Sequence, residues 1–439
     1  METEDYRRLD RQTLWHPYSH YDQIQKDDFP VIGTGEGVYL YDLEGKEYLD
    51  GIASWWCCNL GHGHPRLIRR LKKQAGKLQH SILGNQSHPP AVNLAERLVK
   101  LTGGQRRVHF GSDGASAVEA ALKIALQYWY NLDKESKNKF AYLEGDYHGD
   151  TLGAVSVGFL PGFHAPYRKG VPEQLSAPAP DCVDCPHGKQ PEGCDVPCFE
   201  PMEQLLEDNK EQLAGVIVEP LCQAAMGMNI YPPQYLQTLA EKCRESDVLL
   251  IDDEIAMGLG RTGKMWAYQH ADIRPDIICA GKALAGGYLP ISAAIVDEAI
   301  YSAFESPPRE NSFMHGHTFA GNPLAAAVAL ENLDVYREEN ILDRVRKLAE
   351  IMRQEFPGVE KLSPVKATKT LGLLGVAYLD DSGGKGSERA QTVKQKLLEK
   401  GIMIRPLGNV VYLMPPYIIE EKQLRNTIEE IRQTIEDNF

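Results

Sequence analysis

Val248-Leu249-Leu250-Ile251-Asp252-Asp253-Glu254 and Pro275-Asp276-Ile277-Ile278-Cys279-Ala280-Gly281-Lys282-Ala283-Leu284 are two apolar runs of one design. The first ends in carboxylates, and the second ends at a glycine followed by a lysine. Short apolar runs bounded by breakers read as strands buried on both faces. Similar runs occupy residues 107–110, 140–143 and 215–218, with helical patterns between them. The clearest helix covers residues 116–130, with Val118, Leu122, Ala125 and Trp129 on one face. Alternating strands and helices predict an α/β fold, a mostly parallel sheet covered by helices on both sides. Ligands of such sheets bind beyond the carboxyl ends of the strands. Asp253, Lys282 and the loop 111–115 all sit at such ends, so they are predicted to meet in one crevice.

Beyond about residue 325 the pattern changes. A long helix over 323–338 leads to a smaller mixed segment, with strands near 370–376, 402–405 and 410–414. A closing helix carries Leu424, Ile428, Ile431 and Ile435 at helical spacing. Near the N-terminus, Val38-Tyr39-Leu40-Tyr41-Asp42 before a Leu43-Glu44-Gly45-Lys46 turn reads as a hairpin. The expected organisation is an N-terminal segment 1–60 packing with a small α+β domain 326–439. Between them lies a large domain 61–325 that carries a cysteine-rich insertion at 181–198.

The chain of 439 residues carries 61 acidic against 47 basic side chains, which disfavours general binding to nucleic acid or anionic membranes. The start, Met1-Glu2-Thr3-Glu4-Asp5, is acidic rather than signal-like, and no apolar stretch approaches the ~20 residues of a membrane span. A cytoplasmic protein is expected. Five of the nine cysteines are scattered and read as small buried hydrophobes. The other four form two close pairs, Cys182/Cys185 and Cys194/Cys198, separated by a loop bearing Gly and Pro. That spacing suits a structural zinc site, and equally four reduced thiols or a disulfide formed on oxidation.

A lysine and a carboxylate at neighbouring strand ends suit pyridoxal 5′-phosphate. The amine condenses with the cofactor aldehyde, and the carboxylate holds the pyridine nitrogen protonated so the ring can withdraw electrons. Phe110-Gly111-Ser112-Asp113-Gly114-Ala115-Ser116 places small residues between a strand and a helix. The helix amides there can hold a phosphate, although Ser112 or Asp113 also suits an ordinary helix cap. Tyr147, in Gly145-Asp146-Tyr147-His148-Gly149-Asp150-Thr151, follows another strand and can stack on the cofactor ring or simply pack at the surface.

Nearly the whole chain resembles, in order, the class III aminotransferases, a branch of the fold type I pyridoxal-phosphate enzymes. The resemblance is carried by Asp253-Glu254-Ile255-Ala256, Gly260-Arg261-Thr262-Gly263-Lys264, Gly281-Lys282-Ala283-Leu284 and residues 114–123 and 147–151. It continues through His315-Gly316-His317-Thr318-Phe319 and Tyr412-Leu413-Met414-Pro415-Pro416-Tyr417. Trp15-His16-Pro17-Tyr18, Asp50-Gly51-Ile52-Ala53-Ser54-Trp55-Trp56 and Ile404-Arg405-Pro406-Leu407-Gly408 are similar to the branch serving biotin synthesis. That resemblance implies Lys282 as Schiff-base lysine and proton shuttle, Asp253 as pyridinium partner, and Tyr147 stacked on the ring. It implies phosphate contacts from the amides of Gly114 and Ala115, and from Thr318 across a homodimer interface. Tyr18, Trp55, Gly316 and Tyr412 would shape the substrate pocket. Arg405 would clamp the carboxylate of 8-amino-7-oxononanoate, with Arg261 assisting both substrates, because a guanidinium binds carboxylates through two parallel hydrogen bonds. Surface ion pairs are the plainer fate for both arginines. The implied reaction is a ping-pong transamination, with S-adenosylmethionine, favoured over lysine by Tyr18, as donor. Ala115 departs from the serine frequent in that branch, leaving backbone amides for the phosphate. Competing readings are another class III ω-aminotransferase (lysine, ornithine, 4-aminobutyrate or β-alanine), a decarboxylase or racemase on the same fold, and a non-enzymatic cofactor-binding or metal-organised protein.

Overall fold

The computed structural model describes residues 2–26, 29–189, 193–305 and 311–439, so residues 190–192 of the cysteine insertion lie outside it. Its centre is a seven-stranded sheet. Across the sheet, in spatial order, run Arg106–Gly111, Ser292–Asp297, Ile277–Ala280, Leu249–Asp253, Leu213–Val218, Lys139–Leu143 and Leu175–Ala177. The five runs read from sequence are all strands of this sheet. Ser292–Asp297 was not read as one; it enters antiparallel between Arg106–Gly111 and Ile277–Ala280. The remaining neighbours pair in parallel. Every residue of Leu213–Val218, Leu249–Asp253 and Ile277–Ala280 is buried, which explains why these runs lack the alternation of a half-exposed strand.

The helix Gly114–Asn131 buries its expected face, Val118, Leu122, Ala125 and Trp129, against the sheet. Burial of each such large apolar side chain stabilises by about 1.5–3 kcal/mol. The Trp129 Nε1–H donates to the carbonyl of Ala214 at 2.8 Å, so the buried indole keeps its hydrogen bond. On the opposite side, Pro323–Glu338 packs against Pro65–Ala75 and Pro89–Thr102. It begins at Asn322, whose side chain accepts from the amides of Leu324 and Ala325.

The C-terminal region is built on an antiparallel sheet of Val365–Thr370, Gly375–Leu379 and Val410–Leu413. The strand expected near 370–376 is a hairpin instead, because residues 371–374 form its turn, with Leu371 and Leu374 exchanging backbone hydrogen bonds. The final helix, Glu421–Asn438, buries Leu424, Ile428, Ile431 and Ile435 as the spacing predicts. The N-terminal strands Ile32–Glu36, Tyr39–Asp42 and Glu47–Asp50 form a further sheet, and Glu47–Asp50 pairs in parallel with Ile402–Met403. No helix among the described residues is long and apolar enough to cross a membrane.

One buried side chain ties this scaffold to the strand end at residue 281. The Asn332 Nδ2 donates to the carbonyls of Ala283 and Leu284, at 2.9 and 3.0 Å, from within Pro323–Glu338. Asn332→Ala removes the side-chain donor from both carbonyls and leaves that of Ala283 only the Gly286 amide, and urea denaturation is expected to show a loss of about 1–3 kcal/mol.

Candidate active site

Asp253 and Lys282 are neighbours because their strands are. Asp253 pairs in register with Cys279, and three residues further on the chain turns through Gly281 to Lys282. Lys282 takes a left-handed φ of 40°, a strained conformation for a residue with a side chain. Its Nζ lies 5.0 Å from the centre of the Trp56 ring. Burial lowers the Lys282 ammonium below the usual lysine range, opposed by the charges of Asp253, Glu219 and Cys57. A lysine poised this way supplies more neutral amine, the nucleophilic form.

The Asp253 carboxylate is buried, and each of its oxygens has a partner. One oxygen accepts from the Ile255 amide at 3.0 Å, and the other meets His148 Nδ1 at 2.7 Å. Burial draws His148 down, yet the hydrogen bond and charge of Asp253, then the charge of Asp146, raise it above the usual histidine range. Glu219 lies at the end of Leu213–Val218 and accepts from the amides of Tyr147 and Ala224 at 2.9 and 3.0 Å. Burial first, then the charge of Asp146, pushes Glu219 up to about 8.

These groups line a cavity of about 470 Å³ together with Trp56, Gly114, Ala115, Tyr147 and Asp150. The Asp113 carboxylate caps the helix by accepting from the Ser116 amide at 2.9 Å. The amides of Gly114 and Ala115 stand in the first turn, where no intrahelical acceptor exists. Asp113 is thus the helix cap, and Gly114 and Ala115 line the cavity. Gly149 closes against it so tightly that a Cβ would sit 2.5 Å from that of Ala115. A cavity with a lysine amine, a buried carboxylate and a helix N-terminus fits pyridoxal phosphate.

A second cavity of about 340 Å³ opens beside the first and shares Trp56, Tyr147, Asp150 and Lys282 with it. It adds Tyr18, Trp55, Phe163 and Arg405. The Arg405 guanidinium lies 4.1 Å from the Trp55 ring and 6.0 Å from that of Tyr18. Tyr18 packs edge-on against Trp55 and Phe163. Its hydroxyl donates to Asp150, which also accepts from Tyr147 at 2.9 Å. Burial, then the hydrogen bond to Asp150, raises the Tyr18 phenol to about 12.

Other residues named from the sequence lie elsewhere. Tyr412 is buried behind the wall, its hydroxyl accepting from Trp56 Nε1 at 3.1 Å, so it backs the pocket instead of lining it. Arg261 is 1% exposed and donates to the carbonyls of Pro415 and Leu373 at 2.8 and 3.1 Å, with its guanidinium over the Tyr417 ring. It lines neither cavity, because backbone carbonyls of the C-terminal region hold it inside the protein. Gly316 and Thr318 line a separate and larger cavity of about 920 Å³ with His80, His109 and His317. The size order of the cavities thus does not follow the chemistry.

The zinc expectation is not supported. Among the described residues no three His, Cys, Asp or Glu side chains converge as metal ligands. Cys182, Cys185, Cys194 and Cys198 are free thiols, and three of them pack on the hydrophobic core. Burial raises Cys182, and burial followed by the charges of Cys182 and Cys194 raises Cys198 to about 11.

His148, Asp150, Glu219 and Phe163 went unassigned in the sequence. The first two stand within the quoted 145–151 stretch, and Glu219 follows the strand run 215–218, so the strand-end rule would have reached all three. Nothing in the sequence marks Phe163.

Residues 22–435 match the family described as Aminotransferase class-III, and the chain belongs to that family. It is 36% identical to the adenosylmethionine-8-amino-7-oxononanoate aminotransferase of Staphylococcus aureus, covering 99% of this chain and 98% of that protein. The enzyme of the same name from Aquifex aeolicus is also 36% identical, over 98% and 97% of the two chains. The crystal structure of the Methanocaldococcus jannaschii enzyme of that name superposes with a TM-score of 0.93 at 33% identity, covering 99% of each chain. An omega transaminase from Pseudomonas jessenii superposes at 0.92 and 28% identity, covering 98% of this chain and 97% of that one. The large mixed sheet and these likenesses make the fold that of the fold type I pyridoxal-phosphate enzymes, and the protein an aminotransferase.

Glu219 supplies a pH test. A carboxyl raised from 4.5 to about 8 stays protonated in the folded state across a window where the unfolded chain ionises. Stability contributed by this group is therefore lost as pH rises from about 4.5 towards 8. Melting temperatures measured between pH 5 and 8 should fall more steeply for the wild type than for Glu219→Gln. Parallel curves would remove this assignment.

Proposed function

We propose that the protein transfers an amino group to 8-amino-7-oxononanoate, giving 7,8-diaminononanoate for biotin biosynthesis, with S-adenosylmethionine as donor. The observation that carries this reading is one cavity combining the Lys282 amine with a single carboxylate, Asp150, and a guanidinium, Arg405, between aromatic walls. The names and full-length similarity of the curated relatives support it.

Pyridoxal phosphate, when bound, supplies the electron sink that lets an amino group leave one carbon and join another. In this chain Lys282 anchors it, Asp253 serves its ring nitrogen, and Tyr147 covers the ring. The amides of Gly114 and Ala115 hold its phosphate, with Thr318 contributing across the interface of a cytoplasmic homodimer. Lys282 moves the proton through Nζ, and its lowered affinity for protons suits it to do so near neutrality. Asp150, with the hydroxyls of Tyr18 and Tyr147, attracts the cationic end of the donor. Arg405 binds the acceptor carboxylate, and Trp55 and Phe163 enclose the apolar chain. The two substrates occupy this space in turn. Tyr412 and Arg261 act from behind, fixing Trp56 and the C-terminal segment respectively. The working unit is a large domain, 61–325, against which the small domain, 326–439, packs together with residues 1–60.

The deciding experiment follows the visible absorbance of the purified holoenzyme. S-adenosylmethionine should bleach the cofactor band and 8-amino-7-oxononanoate should restore it. A band that responds only to lysine or another ω-amine would keep the class and replace the substrates. Arg405→Ala should raise KM for the acceptor by roughly 10–100-fold, as expected for a lost hydrogen bond to a charged group of about 1.5–3 kcal/mol, while leaving KM for S-adenosylmethionine much less changed. Lys282→Ala should abolish turnover.

A further inference from the structure

His164 is a buried histidine directly behind the substrate cavity. It ends the short helix Pro161–His164, whose Phe163 lines that cavity. His164 itself is 2% exposed, and its ring lies nearly parallel to that of Tyr147, 6.3 Å away. The Leu160 amide donates to His164 Nδ1 at 3.1 Å. With Nδ1 accepting, the neutral ring must carry its proton on Nε2. Among the described residues that Nε2 makes no hydrogen bond, and it lies 3.7 Å from Asp150 Oδ1.

Asp150 is the only carboxylate among the residues lining this cavity. Its two oxygens already accept from the Tyr18 and Tyr147 hydroxyls. Its side chain is 56% exposed, and both tyrosines that hold it are themselves only partly buried. The Nε2–H of His164 is a buried donor facing it from the protein side. We propose that His164 is a positioning residue for Asp150, its Nε2–H fixing the carboxylate towards the cationic group of the amino donor. This rests on the reading that Asp150 receives the donor's positive charge. A cationic histidine there would compete with the donor. Burial lowers His164 below the usual histidine range, against the pull of Asp150 and the Gly158 backbone, so it turns Nε2–H towards Asp150 as a neutral ring.

Two substitutions separate the two ring nitrogens. His164→Asn places an oxygen near Nδ1, keeping an acceptor for Leu160 but losing the donor towards Asp150. His164→Gln extends an amide N–H to the Nε2 position. Stopped-flow absorbance of each holoenzyme would follow the donor and acceptor half-reactions separately, with the cofactor spectrum and melting temperature recorded for each variant.

The expected result for His164→Asn is a donor KM raised about 10-fold or more, at the scale of a hydrogen bond to a charged group, with the acceptor half-reaction nearly unchanged. His164→Gln should restore most of the donor KM. Equal impairment of both variants, or of both half-reactions, would make His164 merely structural and overturn the proposal. An unchanged donor KM in His164→Asn would overturn it as well. If S-adenosylmethionine fails with the wild type, the substrate reading falls. The same comparison with 1,6-diaminohexane as the amine then decides the role of His164.

Discussion

A carboxylate buried at Asp253 is unfavourable unless charge and hydrogen bonds compensate for the lost water. His148 supplies both at 2.7 Å, and the Ile255 amide takes the remaining oxygen. Most of the site follows from satisfying this one group. His148 must be buried to reach it, which places Asp146 3.8 Å from the far ring nitrogen. Glu219, enclosed with these charges, is driven towards its neutral form. Lys282 enters the same enclosure from the neighbouring strand, where burial outweighs the surrounding negative charge.

The two cavities divide the work on this reading. The inner one is walled by rigid strand ends and the first turn of Gly114–Asn131, which suits a resident cofactor. The outer one is built from loops and short helical turns: Tyr18, Trp55, Phe163 and Arg405 come from four separate stretches of chain. Tyr18 and Trp55 both hold left-handed backbone conformations, as Lys282 does, with φ of 51° and 68°. At these three positions a strained backbone carries a side chain that lines a cavity, and neighbouring packing holds it there. Arg405 stacks on Trp55 and forms no ion pair with an acid among the described residues, so its charge is available to a carboxylate.

The helix faces were legible residue by residue. Leu424, Ile428, Ile431 and Ile435 are buried as their spacing requires, and so are Val118, Leu122, Ala125 and Trp129. The hairpin at 365–379 was misplaced because its apolar turn, Leu371-Gly372-Leu373-Leu374, looks like strand when only hydrophobicity is read. Ser292–Asp297 was missed although it is almost wholly buried. A strand that runs antiparallel inside a mostly parallel sheet interrupts the strand–helix alternation that the reading relied upon.

The sequence by itself determined five of the seven strands of the central sheet, the cofactor chemistry and the family, because those depend on local periodicity and on residue types at strand ends. Asp253, Lys282, Gly114 and Ala115 needed only the rule that strand ends converge. Tertiary structure decided which side chains face the crevice. Arg261 reads like a substrate ligand, yet carbonyls from residues 373 and 415, more than a hundred positions away, hold it inside the protein. The four clustered cysteines read like a metal site, yet three of their side chains pack on the core. Conversely, Asp150 gained its place only when Tyr18, over a hundred residues earlier, folded across it. Short-range pattern fixes which groups exist at an element's end; long-range packing sets where each one points, and a single chain read in order carries no record of that.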